Sequence, residues 1–176
     1  MWTHNVVIFL FGLVIGSFLN VCIARIPKKA SIAYPPSHCT DCDTRLKVSD
    51  LVPVFSYIRL KGKCRYCGSK ISLVYPLVEI TTGILFTLIY IKTGLSAKLI
   101  PGLIFVCILI IASFIDIEHF IVPDILPIVL SVSAFIMNFA GINIDVLYGI
   151  YGGALGGGVV LAIAYLSLMI FKKEGM

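Results

Sequence analysis

The chain has 176 residues, of which 59% are hydrophobic and 13% are charged, with a mean hydropathy of +1.04 and a formal net charge of +5. A soluble domain carries about 25% charged residues, so this composition excludes an ordinary soluble globular protein. The length allows about five membrane spans of roughly 20 residues and one loop of roughly 50 residues. We therefore expect an all-α polytopic membrane protein with a single small loop domain.

The first predicted span is the apolar run Val6–Ile23. No Lys or Arg precedes it, it is long enough to cross a bilayer, and no small-residue cleavage site follows it. These features favour a membrane helix over a cleaved signal peptide.

A basic polar loop follows this span. Ten of the fourteen Lys and Arg residues lie between Arg25 and Lys70, which by the positive-inside rule places the loop in the cytoplasm. A basic loop beside a membrane indicates attraction to anionic lipid headgroups, and we predict no nucleic-acid binding.

Four further apolar runs predict the remaining spans. They are Leu73–Ile91, Leu99–Ile115, Val122–Ala140 and Val146–Phe171. The second of these is the shortest, and its helix has room to extend past Asp116. The segment Asp116–His119 is expected at the cytoplasmic membrane edge. The chain thus divides into segments 1–24, 25–72 and 73–176.

Two Cys-x-x-Cys pairs lie in the loop, Cys39 with Cys42 and Cys64 with Cys67, separated by 21 residues. Thiolates are ligands that Zn²⁺ prefers, and two such turns complete a tetrahedron. Disulfides and redox thiols are the alternatives, although a cytoplasmic location disfavours stable disulfides. With four protein ligands the metal would be structural, holding together a loop too short to build its own core.

Acidic residues at a membrane edge are functional candidates, because burying a carboxylate in a span is costly. Asp116 closes a strongly apolar run, and Asp124 follows Pro123 at the start of the next span. Asp124 has an alternative role as an acid at a helix N-terminus. Eight residues of helix rise about 12 Å and Pro123 breaks the element, so these two residues are not expected to form a carboxylate dyad.

Small residues predict close helix packing at two places. Gly16 and Ser17 lie within the first span. In the last span, glycines recur at four-residue spacing: Gly149, Gly153 and Gly157, and also Gly152 and Gly156. Packing inside the monomer is the preferred interpretation of the second stripe, and a homodimer contact is the alternative.

Several short motifs occur in order along nearly the whole chain. They are Gly16-Ser17-Phe18-Leu19-Asn20-Val21, Arg25-Ile26-Pro27, the two cysteine pairs, Pro53-Val54-Phe55-Ser56-Tyr57, Tyr75-Pro76-Leu77-Val78-Glu79, Phe114-Ile115-Asp116 and Val122-Pro123-Asp124. Each motif alone is weak. Their order and spacing together resemble the bacterial type IV prepilin peptidases.

The resemblance implies a multi-pass enzyme of the bacterial inner membrane with its zinc loop in the cytoplasm. Such enzymes use two aspartates at the membrane edge to remove the leader peptides of type IV prepilins and pseudopilins, in type IV pilus and type II secretion systems. They then methylate the new N-terminus with S-adenosylmethionine. By the same resemblance, 25–72 is associated with methyl transfer and 73–176 is the peptidase core.

The resemblance also implies roles for individual residues. Asp116 matches one of the two catalytic aspartates. Asp124, Glu79, Asn20 and Arg25 are candidates for supporting roles, the last three beside the loop associated with methylation.

The sequence departs from the family pattern at its end. The second catalytic aspartate of the family lies in a Gly-x-Gly-Asp motif, and these 176 residues contain no such motif. We expect either a fragment of a longer enzyme or a natural short form, and we predict that the 176 residues alone have no peptidase activity. The alternative function is a non-catalytic membrane zinc protein, or a half-enzyme that needs a partner chain for the second aspartate.

Overall fold

The structure, a computed structural model, is mostly helical and describes residues 2–121, 123–139, 151–152, 154–155 and 158. Its helices are α1 (Trp2–Arg25), α2 (Phe55–Arg59), α3 (Val74–Thr93), α4 (Leu99–His119) and α5 (Ile125–Phe139), with a short 3-10 turn at Val48–Asp50. The chain divides into two compact units, 1–133 and 134–176. The first unit contains both the helix core and the cysteine loop.

Three helices, α1, α3 and α4, are long and apolar enough to cross a membrane within the described part of the chain. Helix α3 has 20 residues and rises about 30 Å, which matches the hydrocarbon thickness of a bilayer. The predicted fourth span, Val122–Ala140, coincides with the shorter α5. The predicted fifth span, Val146–Phe171, lies almost wholly outside the described residues, so the count of five spans stays a prediction.

The ends of α3 and α4 follow from local sequence. The Ser72 hydroxyl accepts the Val74 N–H at 3.2 Å, which satisfies a donor left free at the start of α3. Gly94, with φ of 63°, ends the same helix and donates to the Tyr90 carbonyl. Phe120 ends α4 in the left-handed conformation, and its N–H donates to the Asp116 carbonyl at 2.8 Å. Helix α4 therefore extends past Asp116, as the sequence allowed.

Helices α1 and α3 pack against each other so closely that two positions on α1 admit only glycine. A Cβ built on Gly12 would lie 2.7 Å from the Gly83 Cα, and one on Gly16 would lie 2.7 Å from the Glu79 Cα. Both distances are shorter than van der Waals contact. The small-residue packing predicted at Gly16 is confirmed, and Gly12 extends it by one turn.

The helix core lies where α4 packs against this pair. Leu19 from α1, Val78 and Phe86 from α3, and Ile111 and Ile115 from α4 are all buried. These side chains belong to one continuous hydrophobic cluster, through which the three helices pack together.

An apolar stripe remains on the outer face of α1. Val6, Leu10, Val14 and Phe18 recur every four residues, and each is about half exposed. Spacing of four places them on one face of the helix, and such a face is stable when lipid covers it. Its exposure fits a membrane-spanning helix.

The predicted glycine stripe of the last span falls mainly outside the described residues. This applies to Gly149, Gly153, Gly156 and Gly157. Gly152 is helical, and a Cβ there would meet nothing within 4 Å. Its role in packing within the monomer or between copies stays a prediction.

Candidate metal centre and membrane-edge site

The first Cys-x-x-Cys pair forms a tight turn closed by two backbone hydrogen bonds. The Cys39 N–H donates to the Thr44 carbonyl at 3.0 Å, and the Asp43 N–H donates to the Cys39 carbonyl at 2.9 Å. Asp43 adopts a left-handed conformation with φ of 55°. An antiparallel bridge between His38 and Arg45 closes the base of the turn.

The second pair repeats the same turn. The Cys64 N–H donates to the Ser69 carbonyl at 2.8 Å, the Gly68 N–H donates to the Cys64 carbonyl at 3.0 Å, and Gly68 has φ of 76°. A bridge between Lys63 and Lys70 closes its base. The shared sequence signal is a Cys-x-x-Cys pair followed by Asp or Gly, then Thr or Ser, then Arg or Lys. This repeat was not predicted from the sequence.

The two turns bring all four cysteines together, as predicted. The four Sγ atoms lie within 4.8 Å of one another, and those of Cys39 and Cys67 are 3.8 Å apart. A tetrahedral zinc site with Zn–S bonds of about 2.3 Å has sulfur–sulfur separations of about 3.8 Å. Cys39, Cys42, Cys64 and Cys67 therefore fit one metal ion.

The turns also prepare thiolates for a metal. The main-chain N–H groups of Cys42 and Asp41 point at the Cys39 sulfur and lower the pKa of that thiol to about 6. The Ser69 hydroxyl and N–H lower the pKa of the Cys67 thiol. Burial and the neighbouring Cys39 and Cys67 side chains raise the pKa of the Cys64 thiol. Because metals bind the thiolate form, Cys39 and Cys67 are better prepared to coordinate than Cys64.

A buried carboxylate braces the second turn, and sequence analysis missed it. The Asp50 side chain is 3% exposed and lies 2.7 Å from the Arg65 guanidinium. The same carboxylate accepts hydrogen bonds from the Tyr66 hydroxyl at 3.1 Å and from the Lys47 N–H at 3.2 Å. Arg65 and Tyr66 are the two residues between Cys64 and Cys67, so Asp50 ties the 3-10 turn directly to the second cysteine turn.

Arg25 organises the start of the loop. Its guanidinium donates to the carbonyls of Ser31 at 2.8 Å, Ile32 at 3.3 Å and Pro35 at 2.7 Å. These three acceptors lie on the segment that leads from α1 to the first cysteine turn. The structure therefore places Arg25 in support of the loop backbone.

Asn20 and Glu79 lie where the loop and α3 meet α1. The Asn20 amide donates to the Tyr75 carbonyl at 3.0 Å. The Glu79 carboxylate accepts the Val54 N–H at 2.7 Å and also interacts with the Ser17 side chain. Asn20 and Glu79 are 6% and 7% exposed, so both act from the interior of the helix pair.

The Glu79 contact holds an unusual backbone position. Val54 has φ of 59°, a conformation that costs a β-branched residue on the order of 1–3 kcal/mol. The short charged hydrogen bond to Glu79 offsets part of this cost. Glu79 thereby latches the segment that enters α2 onto the membrane helices.

Asp116 and Asp124 lie on either side of the connection between α4 and α5. Asp116 is on the last turn of α4, Asp124 directly precedes α5, and both are exposed. Among the described residues, neither carboxylate forms a hydrogen bond or an ion pair. The helix break expected near Pro123 is confirmed, because α4 ends at His119 and α5 begins at Ile125.

The end of α4 lies near the start of α3, since Glu118 on the last turn of α4 is close enough to Tyr75 on the first turn of α3 to interact with it electrostatically. If α1, α3 and α4 each cross a membrane once, they alternate in direction, and the end of α1, the start of α3 and the end of α4 share one edge. Asp116 and the cysteine loop would then lie at the same edge.

Two family models together match most of this chain. Residues 10–93 match the bacterial peptidase A24 N-terminal domain, and residues 103–176 match the type IV leader peptidase family. The first match contains all four cysteines together with Asn20, Arg25 and Glu79. The second contains Asp116 and Asp124.

Curated relatives are similar over most of the chain. A prepilin leader peptidase/N-methyltransferase of Myxococcus xanthus is 34% identical over 97% of this chain and 51% of its own length. One of Bacillus subtilis is 39% identical over 67% of this chain and 48% of its own length. One of Klebsiella pneumoniae is 30% identical over 96% of this chain and 77% of its own length. The chain thus spans about half the length of the first two relatives, and no solved structure matches it.

Proposed function

This chain belongs to the prepilin leader peptidase/N-methyltransferase family, and we propose that it supplies one half of an aspartic endopeptidase site at the cytoplasmic edge of the bacterial inner membrane. The proposed substrates are the leader peptides of type IV prepilins and pseudopilins. The observation that carries the proposal is the position of Asp116. It is exposed on the last turn of an apolar helix, within the segment that matches the leader peptidase family.

Peptide cleavage by two aspartates needs one ionised and one protonated carboxyl group. The ionised group takes a proton from water, whose oxygen adds to the scissile carbonyl carbon. The protonated group donates a hydrogen bond to the carbonyl oxygen. The C–N bond then breaks, and the amine leaves with a proton. Asp116 is one of these groups, and its exposure at the membrane edge gives it access to water.

The second aspartate is proposed to come from a Gly-x-Gly-Asp segment outside these 176 residues. By themselves, the 176 residues are then a half-site without peptidase activity. The alternative is a non-catalytic membrane zinc protein that binds prepilin leaders. The match of residues 103–176, which contain Asp116, to the type IV leader peptidase family supports the half-site.

We also assign a structural Zn²⁺ ion to Cys39, Cys42, Cys64 and Cys67. The ion would link the two turns of the 25–72 loop, which contains only short helical segments. Four cysteine ligands leave no coordination position for a catalytic water. Zinc therefore stabilises the loop and takes no part in peptide hydrolysis.

Methylation of the new N-terminus with S-adenosylmethionine is proposed for the complete enzyme from the names of the relatives. When bound, that donor supplies a methyl group that passes from its sulfonium sulfur to the amine nitrogen, while the amine loses a proton. In this chain, Arg25 and Glu79 bind loop backbone, and Asn20 ties α1 to the first turn of α3. We propose that they act as positioning residues.

Substitution of the two exposed aspartates tests the proposed site. The chain would be joined to a membrane segment that carries Gly-x-Gly-Asp, and leader removal from a prepilin would be followed by mass spectrometry. Loss of one catalytic carboxylate typically lowers the rate about 10²- to 10⁴-fold, which is the effect expected for Asp116→Asn. Asp124→Asn is the matched control and should change the rate only a few-fold. Undiminished cleavage by Asp116→Asn would rule out the assignment.

A further inference from the structure

An open cavity of about 500 Å³ lies between the second cysteine turn and the start of α3. It is separate from the four sulfur atoms and from Asp116. The residues around it include Tyr57, Lys61, Lys63, Lys70, Ser72 and Leu73.

Its lining is strongly basic. The residues that line the cavity include three lysines and no acidic side chain. Within the described part of the chain, none of the three forms an ion pair. Such a cluster attracts an anion.

The backbone holds two of these lysines opposite each other. Lys63 and Lys70 form the antiparallel bridge at the base of the second cysteine turn, and like charges in directly opposed positions are destabilising. Lys61 and Gly62 both have positive φ, and a Cβ on Gly62 would lie 2.7 Å from the Tyr57 hydroxyl oxygen. The fold thus fixes the lysines together, and a bound anion would relieve their repulsion.

When α3 crosses a bilayer, the cavity beside its first turn lies at the depth of the lipid headgroups. Ser72 and Leu73 line it and directly precede α3, whose 20 residues match the hydrocarbon thickness. Leu73 is 72% exposed and would face the top of the acyl chains. The positive end of the α3 macrodipole adds to the attraction for negative charge at this position.

We propose that this cavity binds the phosphate of an anionic phospholipid headgroup through Lys61, Lys63 and Lys70. A lipid is favoured over a soluble phosphate because the cavity adjoins the first turn of a membrane helix. The bound lipid would fix the metal-bearing loop against the bilayer surface. This inference does not depend on the proposed peptidase activity.

Native mass spectrometry of the whole detergent-solubilised chain tests the proposal, with phosphatidylglycerol as the probe and phosphatidylcholine as the reference. The site variant is Lys61→Gln/Lys63→Gln/Lys70→Gln. The control, Lys28→Gln/Lys29→Gln/Lys47→Gln, removes the same charge from the same loop. The site variant removes the three lysines that share the cavity and should lose phosphatidylglycerol affinity by about tenfold or more, and the control should lose far less because none of its lysines lines the cavity.

The proposal is supported if the site variant alone loses phosphatidylglycerol and excess inorganic phosphate does not displace the lipid. Equal losses in both variants would mean diffuse electrostatic attraction and would overturn it. Displacement by inorganic phosphate would mean a soluble phosphate site and would overturn the lipid assignment. Zinc content reports folding of the loop, and the three single lysine variants replace the triple if it fails to bind zinc.

Discussion

Glu79 shows how one buried carboxylate connects a membrane helix to the loop. Replacing Glu79 with Ala leaves the Val54 N–H without its partner, which costs about 1–3 kcal/mol. We expect faster amide hydrogen exchange at 53–57 in this variant, measured by mass spectrometry. Glu79→Gln keeps an acceptor oxygen and should be protected more nearly like the parent chain. Equal exchange in the parent chain and the Ala variant would mean that the latch does not hold this segment.

Asp50 makes a second prediction for a single residue. Asp50→Asn removes the charge that binds Arg65 while keeping the shape of the side chain. Because outer partners of metal ligands typically change metal affinity about tenfold or more, we expect roughly tenfold faster zinc loss to a chelator. Asp43→Asn is the control, since the Asp43 side chain is 93% exposed and Asn also tolerates positive φ. A control that loses zinc as fast as Asp50→Asn would contradict the bracing role.

Individual residues were predictable from sequence to different degrees. The four cysteines were recognisable because metal ligands keep a fixed local spacing. Asp50 was not recognisable, because its side-chain partners Arg65 and Tyr66 lie 15 and 16 residues away in the sequence. Only the folded loop brings the three side chains together. Glu79 was a candidate through the family resemblance, but its contact with Val54 depends on how the loop folds back onto α3.

At the scale of elements, the close contact between α1 and α3 depends on glycines, which have no side chain to hold the two helices apart. We expect Gly16→Ala to destabilise the helix pair by about 1–3 kcal/mol, because its Cβ would meet backbone of α3. Gly152→Ala is the control, since Gly152 is helical and a Cβ there would meet nothing within 4 Å. Unfolding in mixed micelles followed by circular dichroism measures the difference. Equal stability of the two variants would refute the close packing.

The cysteine loop is the second element whose stability can be tested. Removal of zinc by a chelator, or Cys39→Ser, should increase hydrogen exchange across 38–72 and leave the α1–α3 contact protected. Protons compete with zinc for the sulfurs, so zinc affinity should fall as the pH is lowered. A loop equally protected with and without metal would show that zinc is not its main brace.

The helices themselves were easier to predict than their ends and contacts. Apolar runs located α1, α3 and α4 because membrane helices need about 20 apolar residues. The observed α1 extends four residues earlier than the predicted Val6 and includes Arg25. Gly12 was missed since its role depends on which face of α3 lies opposite, and hydropathy carries no such information.

For the whole molecule, the proposal places the cysteine loop, the Glu79 contact with Val54 and Asp116 at one membrane edge. In the complete enzyme, this proposed arrangement would let leader cleavage and methylation act on the same prepilin N-terminus. The proposed catalytic centre also needs a second aspartate, which these 176 residues do not supply in a Gly-x-Gly-Asp motif. The central claim is therefore that the chain contains one half of a two-aspartate site.

The most direct test is leader removal from a purified prepilin by the 176-residue chain, alone and with a separately added membrane segment that carries Gly-x-Gly-Asp. We predict no cleavage by the chain alone, cleavage when the segment is added, and loss of that cleavage with Asp116→Asn. Leader removal by the chain alone would contradict the half-site. Complemented cleavage that survives Asp116→Asn would contradict the role of Asp116.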